Sequence, residues 1–244
     1  MSYDKLQQMI NESDRIVFFG GAGTSTDCGL PDFRGTKGLY TDGKKEKQYK
    51  YPPEHMLHTD FLYQHTAEFF EFYRNEMIFD WAKPNEFHQK LVEMEEKGKL
   101  TAIVTQNIDS LHQKAGSRNV IELHGSSARN YCIRCHENYS EDWMVRTTGI
   151  PHCEKCGGVV RPEVTLYGEM LNEDAISKAI KHISEADMLI VAGTSLNVYP
   201  AAGFIGYFQG KYLVIINKQP TPQDKQADLV INDSVTEVFR ELRI

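Results

Sequence analysis

The chain of 244 residues is long enough to bury a full hydrophobic core, as one large domain or as one domain with an insert. With 41% hydrophobic and 25% charged residues it has no bias toward disorder, and a net charge of −7 argues against a duplex nucleic-acid binder, which needs a basic face. Such a balance suits a small-molecule enzyme, or one whose macromolecular substrates carry lysines.

The start, from Met1 to Gln8, lacks the apolar core of a signal peptide. The longest apolar runs, around Met188–Ala192 and Leu213–Ile216, are too short to span a bilayer. A cytoplasmic protein with no membrane or nucleic-acid partner is therefore expected. In a reducing compartment its five cysteines read as metal ligands or free thiols, not as a disulfide framework.

In chain order, Ile16-Val17-Phe18-Phe19 runs into Gly20-Gly21-Ala22-Gly23-Thr24-Ser25, and Thr101-Ala102-Ile103-Val104 runs into Thr105-Gln106-Asn107-Ile108-Asp109. Met188-Leu189-Ile190-Val191 runs into Ala192-Gly193-Thr194-Ser195, and Tyr212 to Ile216 runs into Asn217. Runs that are apolar throughout predict strands covered on both faces. Helical patterns such as Asn85–Lys97 and Glu173–Glu185 lie between them, the alternation of an α/β fold with a parallel sheet. Such sheets bind ligands beyond the carboxyl ends of their strands, where this chain places glycines, hydroxyls, amides and a carboxylate. The same residues also make turns, and that reading stays open at this point. An excursion at about Thr36–Met77 holds Lys44-Lys45-Glu46-Lys47, read as a solvated loop. A segment from about Tyr131 to Val160 looks like a small inserted module.

That module carries two C-x2-C knuckles, Cys132 with Cys135 and Cys153 with Cys156. Their spacing fits a four-thiolate zinc site, which has no open position for water and so braces the fold instead of performing catalysis. Gly157-Gly158 lets the chain turn away after the second knuckle. Cys28, in the Gly-rich loop, reads as a small packing residue.

Gly21-Ala22-Gly23 after a strand is part of a dinucleotide fingerprint, in which small residues let backbone amides approach a pyrophosphate. The third glycine of G-x-G-x-x-G is absent, with Thr26 in its place, and alone the motif says little about reaction type. Its continuation is more specific. Gly21-Ala22-Gly23-Thr24-Ser25 with Gly29-Leu30-Pro31-Asp32-Phe33-Arg34-Gly35 closely resembles the signature of the sirtuins, the NAD-dependent protein deacylases. Further matches follow in order: Thr105-Gln106-Asn107-Ile108-Asp109-Ser110-Leu111-His112, His124-Gly125, the two knuckles, Arg161-Pro162-Glu163-Val164-Thr165-Leu166-Tyr167-Gly168-Glu169, Gly193-Thr194-Ser195 and Asn217. The resemblance extends from about Ile16 to Asp233.

It implies a larger Rossmann-like domain of about residues 1–35, 80–128 and 160–244, with helices on both faces of its sheet. The implied smaller domain comes from two inserts, a helical one at about 36–79 and the zinc module at about 129–159, and NAD and acyl-lysine would meet in the cleft between the domains. Gly21, Ala22, Gly23, Ser25, Thr26, Asp32, Phe33 and Arg34 would form the NAD loop. Gln106, Asn107, Ile108 and Asp109 would surround the nicotinamide and its ribose, while Gly193, Thr194, Ser195, Asn217 and Asp233 would hold the adenosine half. Thr165, Tyr167, Gly168 and Glu169 would pair with the substrate peptide as an added strand.

The implied chemistry is glycosidic cleavage followed by acyl transfer. Asn107 and Asp109 would hold the nicotinamide amide while the acyl oxygen attacks the ribose carbon. His124 would be the general base on a ribose hydroxyl, a role suited to an imidazole titrating near pH 6.5. By itself His124 reads more readily as a satisfied core or surface histidine, and only the ordered motifs around it reverse that reading. Phe33 reads either as a loop anchor or as the group that keeps water from the reactive ribose. His112, on a helix face, and His136, in the zinc loop, carry no implied chemistry.

Two positions depart from the pattern: Thr24 where isoleucine is usual and Thr165 where valine is usual. Members that prefer acidic acyl groups carry Tyr-x-x-Arg, and the nearest candidate, Tyr73-Arg74-Asn75-Glu76, has Glu76 in the arginine's place. The expected reaction is thus removal of acetyl or other uncharged acyl groups from protein lysines, giving nicotinamide, O-acyl-ADP-ribose and free lysine. Rival readings are a protein mono-ADP-ribosyltransferase, a dehydrogenase for which no hydride-transfer site is visible, and a non-catalytic zinc-ribbon interaction module. The sequence does not specify the oligomeric state and is compatible with a monomer.

Overall fold

Every residue of the strand Ile16–Gly20 is buried, and its alternate side chains serve opposite faces of a sheet. Ile16 and Phe18 join one core cluster, Val17 and Phe19 another, as the period of two along a strand demands. The computed structural model describes residues 2–33, 35, 38–41, 49–197 and 199–244. Arg34 and the Lys44-Lys45-Glu46-Lys47 run lie outside the described residues.

The elements in chain order are α1 (Ser2–Asn11), β1 (Ile16–Gly20), α2 (Pro53–Met56), α3 (Thr59–Gln64), α4 (Thr66–Glu76), α5 (Glu86–Glu96), β2 (Leu100–Thr105), α6 (Leu111–Ala115) and β3 (Val120–Glu122). There follow β4 (Gly125–Cys132), β5 (Asn138–Ser140), α7 (Glu141–Arg146), β6 (Val160–Val164), α8 (Glu173–Glu185), β7 (Met188–Ala192), β8 (Tyr212–Ile216), β9 (Leu229–Ile231) and α9 (Val235–Arg240). Six strands form one parallel sheet in the order β3-β2-β1-β7-β8-β9. Its four predicted strands are all present, each with an apolar run buried on both faces.

One face is covered by α1, α5 and α9, through Leu6, Met9, Phe87, Leu91, Val238 and Phe239. The other is covered by α8, through Ala179 and Ile183, and by the short turn Ala201–Tyr207. Helix α5 starts where Asn85 and His88 form a reciprocal capping box. Helix α8 is capped by the Asn172 side chain, with Glu173 and Asp174 in its first turn complementing the helix dipole.

A second sheet has the antiparallel order β5-β4-β6. Strand β6 follows the second knuckle yet pairs with β4, so this sheet takes in residues beyond 159. It shares a third core cluster with the helical excursion: Phe61, Phe69, Phe70, Phe72 and Tyr73 pack with Cys132, Met144, Cys153, Val160 and Val164. The α/β fold with a smaller cysteine-bearing unit is therefore the observed architecture. No helix among the described residues is long and apolar enough to cross a membrane.

Candidate functional site

The loops after β1, β2, β7 and β8 converge on a cleft of about 760 Å³, whose far wall is the segment following β6. An adjoining recess of about 50 Å³ opens behind Phe33 and Ile108. A cleft of this size falls in the range of cofactor sites.

The loops are bonded to one another before any ligand is considered. Gly21 donates its N–H to Ala192 O (3.2 Å) and Gly23 to Gly193 O (2.8 Å). A Cβ on Gly23 would stand 2.8 Å from Gly193 Cα, and one on Gly193, at φ +60°, would stand 2.4 Å from Thr24 N. These glycines are thus required by loop-to-loop packing. Among the described residues, the loop amides left without a protein acceptor are those of Ala22, Thr26 and Asp27, at the starts of two short 3-10 turns. They, and not the glycine amides, are the donors a pyrophosphate could use. Asp32 caps the following turn by accepting from Gly35 N (2.9 Å). Phe33 packs on Tyr40 at 5.4 Å between ring centroids while lining both cleft and recess, so one ring serves as anchor and as wall.

In the β2 loop, Asn107 Nδ2 donates to Thr24 Oγ1 and Ser25 Oγ, both at 3.0 Å. The Thr24 hydroxyl in turn donates to Gly21 O (2.8 Å). The departure from isoleucine therefore ties two strand-end loops together. Asp109 accepts from Ser25 Oγ (2.7 Å) and Leu111 N (2.9 Å), and burial raises its carboxyl pKa. Ser25 and Asp109 line the recess, whereas Gln106, Asn107 and Ile108 line both spaces. Gln106 Nε2 donates to Thr194 Oγ1 (3.1 Å), linking β2's loop to β7's. Gly193, Thr194, Ser195, Asn217 and Asp233 line the same end of the cleft.

His124 sits between β3 and β4, where the two sheets meet. Its Nδ1 lies 2.8 Å from Gln106 O. A carbonyl can only accept, so Nδ1 carries the proton and Nε2 is left as the acceptor. Burial pushes the imidazole pKa down, against the opposing pull of that hydrogen bond, which keeps the ring neutral near pH 7. A neutral imidazole on a cleft wall, with no partner on Nε2 among the described residues, has the form of a general base.

On the far wall, Thr165 donates its N–H to His124 O (2.9 Å), and Tyr167 N and O are bonded to Leu57 O and Thr59 N. Between Thr165 and Gly168, the backbone groups without a partner among the described residues are the Thr165 carbonyl and those of Gly168. Gly168, at φ +87°, has no room for a Cβ, which would meet His58 at 2.8 Å. Glu169 points inward. It accepts from Arg161 Nη1 and Nη2 (2.5 and 3.0 Å), Thr59 Oγ1 (3.1 Å) and Leu166 N (2.9 Å), so its carboxylate braces the wall. Arg74 is turned away from the cleft, onto Thr147 Oγ1 and Gly149 O, while Glu76 lines the recess.

The four knuckle sulfurs of Cys132, Cys135, Cys153 and Cys156 lie within 4.8 Å of one another, with closest pairs at 3.5 and 3.6 Å. Thiolates around one zinc at about 2.3 Å stand roughly 3.8 Å apart, so the set fits a tetrahedral ion with no open position. Gly158 is needed there because a Cβ would lie 3.0 Å from Cys132 Sγ. Cys28 packs beside Leu30, Ala82 and Leu111, and burial raises its thiol pKa to about 11. That is the unreactive state of a packing residue.

The model of the Sir2 family matches residues 21–200, which span the Gly-rich loop, His124, the knuckles and the β7 loop. The chain belongs to the Sir2 family. It is 55% identical over 237 residues to the NAD-dependent protein deacetylase of Clostridium acetobutylicum, covering 97% of this chain and 96% of that one. Among solved structures it resembles a Sir2 complex with deacetylated p53 peptide and 3'-O-acetyl ADP ribose, at 40% identity and a TM-score of 0.88, covering 98% of this chain and 96% of that one. It also resembles a Sir2–p53 peptide–NAD+ complex at 39% identity and a TM-score of 0.85, with the same coverage.

Within this Sir2-family cleft, several lining residues escaped the sequence reading: Met170, Tyr199, Lys218 and Gln219. Met170 and Tyr199 are 85% and 73% exposed, a conspicuous position for large apolar groups that only the fold makes visible. Lys218 and Gln219 directly follow Asn217, so the strand end could have drawn attention to them.

Proposed function

We propose that the chain removes acetyl and other uncharged acyl groups from protein lysines, consuming NAD+ and releasing nicotinamide, O-acyl-ADP-ribose and free lysine. The observation that carries this reading is the His124 imidazole, neutral, with Nδ1 fixed on Gln106 O and Nε2 available at the junction of the cleft's two walls. The cleft joins a dinucleotide-sized strand-end site to a wall with backbone groups open for an extended peptide.

NAD+ supplies a ribose carbon made electrophilic by its cationic leaving group. The chain's residues do the rest. The amides of Ala22 and Thr26 bind the pyrophosphate, and Thr194, Ser195, Asn217 and Asp233 hold the adenosine half. Asn107, positioned by Thr24 and Ser25, and Asp109, positioned by Ser25 and Leu111, hold the nicotinamide end at the recess. Phe33 excludes water from the ribose. His124 Nε2 takes the proton of the ribose hydroxyl that attacks the acyl carbon. The Thr165 carbonyl and Gly168 pair with the substrate backbone, which tolerates varied side chains. The carboxylate of Glu76 at the recess wall disfavours an acidic acyl group.

Mechanically, the six-stranded sheet and the three-stranded sheet with its helical excursion act as two domains, and zinc in the four-thiolate site sets the shape of the smaller one. The enzyme works in the cytoplasm, on proteins as substrates. Incubation with NAD+ and an acetyl-lysine peptide, followed by mass analysis, should yield nicotinamide, acetyl-ADP-ribose and free lysine. Folded, zinc-loaded protein that forms none of these overturns the reading, and labelled ADP-ribose retained on protein would favour a transferase.

A further inference from the structure

We propose that Asp27 and Lys218 set the choice between NAD+ and its 2′-phosphorylated counterpart, NADP+; this rests on the reading that places the adenosine half at the β8 end of the cleft. In dinucleotide folds, an acidic residue at the ribose-binding strand end bonds the 2′-hydroxyl and repels a 2′-phosphate, whereas a nearby cation accepts the phosphate. Here the loop after β8 reads Asn217-Lys218-Gln219. It offers a cation and no carboxylate, and Lys218 lines the cleft. Taken by itself this loop would admit the phosphorylated coenzyme.

The missing negative charge arrives from elsewhere in the chain. Asp27, in the turn just after the Gly-rich loop, places Oδ1 3.3 Å from Lys218 Nζ. Its other oxygen accepts from Ser234 Oγ (2.5 Å), which fixes the carboxylate in place. Asp233, the preceding residue, lines the cleft directly and is itself held by Ser234 N (2.7 Å) and Tyr3 Oη (2.8 Å). One ammonium thus pairs with the anchored Asp27 carboxylate and lies within the electrostatic reach of a second, Asp233, from a separate strand-end loop. A dianionic 2′-phosphate entering there would find the Lys218 cation already neutralised by Asp27 and a second anion, Asp233, nearby, while a neutral 2′-hydroxyl meets hydrogen-bond acceptors. The charge of Asp27 acts through Lys218, so Asp27 is a positioning residue for selectivity and not a catalytic one.

The test uses the full-length, zinc-loaded protein and the variants Asp27→Asn and Asp27→Asn with Lys218→Ala. Asparagine keeps an acceptor for Ser234, so the turn retains its anchor. For each protein, kcat/KM for NAD+ and NADP+ is measured with an acetyl-lysine peptide, and the binding of each coenzyme alone is followed by thermal shift. Asp27→Asn should raise the NADP+ to NAD+ ratio by about tenfold at low ionic strength, the size of one uncovered charge near a phosphate. The gain should shrink as salt is added and disappear in the double variant. A structural defect in the turn would lower both coenzymes together and leave the ratio and its salt dependence unmoved. An unchanged ratio in Asp27→Asn, or an equal rise in the double variant, overturns the proposal. If the unmodified protein releases no nicotinamide, the deacylase reading fails, and the binding ratio still decides the role of Asp27. If neither coenzyme binds at all, both fall.

Discussion

Two imidazoles buried side by side make the acid sensitivity of this fold calculable. His88 in α5 and His112 in α6 stand 4.9 Å apart between ring centroids, with Phe18 and Phe87 against them. Among the described residues neither ring nitrogen of His112 has a hydrogen-bond partner, nor has His88 Nε2; His88 Nδ1 lies 2.8 Å from Asn85 Oδ1. Burial pushes the His88 pKa from 6.5 down to about 4, and it pushes His112 down as well, with the like charge of His88 adding to the effect. Both folded values lie below the unfolded one. Between them the unfolded chain binds more protons, so stability is fully present above about pH 6.5 and is lost as pH falls toward about 4. For His88 alone the gap corresponds to roughly 3 kcal/mol, a large part of the ~5–15 kcal/mol that holds a domain together. Urea unfolding of the protein and of His112→Leu, from pH 7.5 to 4.5, measures the effect. Leucine replaces one buried titrating ring and two unpartnered nitrogens with an apolar group, so the variant should lose little at pH 7.5 and show a visibly shallower pH slope. A stability difference between the two proteins that stays constant across this pH range would refute the reasoning. So would a loss of several kcal/mol at pH 7.5, because it would mean that the ring's nitrogens are partnered.

Cys153→Ser, or removal of zinc by a chelator, should lower the melting temperature and release the core around Phe69 and Val160. His124→Ala should leave the melting temperature nearly unchanged and abolish acetyl-ADP-ribose formation, and calorimetry beside product analysis distinguishes the two. Gly193→Ala places a Cβ 2.4 Å from Thr24 N at φ +60° and should cost several kcal/mol by chemical denaturation. Gly98→Ala, at φ +73° with nothing within 4 Å, should cost only about 1 kcal/mol. Glu169→Ala leaves Arg161 buried and unpaired and should destabilise by roughly 3–5 kcal/mol while raising the peptide KM. With Glu76 at the recess, succinyl-lysine peptide should react more slowly than acetyl-lysine peptide, and faster succinyl turnover would contradict the assignment of that wall.

The strands of the large sheet were legible because burial on both faces leaves no polar position in the pattern, so Ile16–Phe19 and Met188–Val191 can hardly be read otherwise. The knuckles were legible for another reason: two sulfurs two residues apart are a local geometry, independent of the rest of the fold. Strand β4 was not. Its sequence, Gly125-Ser126-Ser127-Ala128-Arg129-Asn130-Tyr131-Cys132, is largely polar, and its pairing with β6 is interrupted between Ser126 and Asn130. No periodicity in a single segment encodes a partner 30 residues away. The glycines of the first loop were recognised, but the direction of their missing side chains was not, since it depends on where the β7 loop passes. Asp27 and Lys218 are 191 positions apart, and only the parallel order of β1, β7 and β8 brings their loops together.

The same long-range dependence explains why His124 can be assigned a role at all. Its ring is held by Gln106 O, which belongs to the β2 loop, and that loop is tied through Asn107 to the β1 loop and through Gln106 Nε2 to the β7 loop. Its own carbonyl accepts from Thr165 N on the opposite wall. The next residue, Gly125, opens β4 and sits so close to β6 that a Cβ would be 1.9 Å from Glu163 O. One side of the imidazole is therefore positioned by the cofactor-side loops and the other by the sheet that carries the cysteines. The four-thiolate site lies outside the proposed chemistry, yet a zinc ion held there would bear on His124 through two strands. Loss of the metal should disturb the orientation of Nε2, and hence turnover, before it disturbs the six-stranded sheet, whose two cores contain none of the four thiolates.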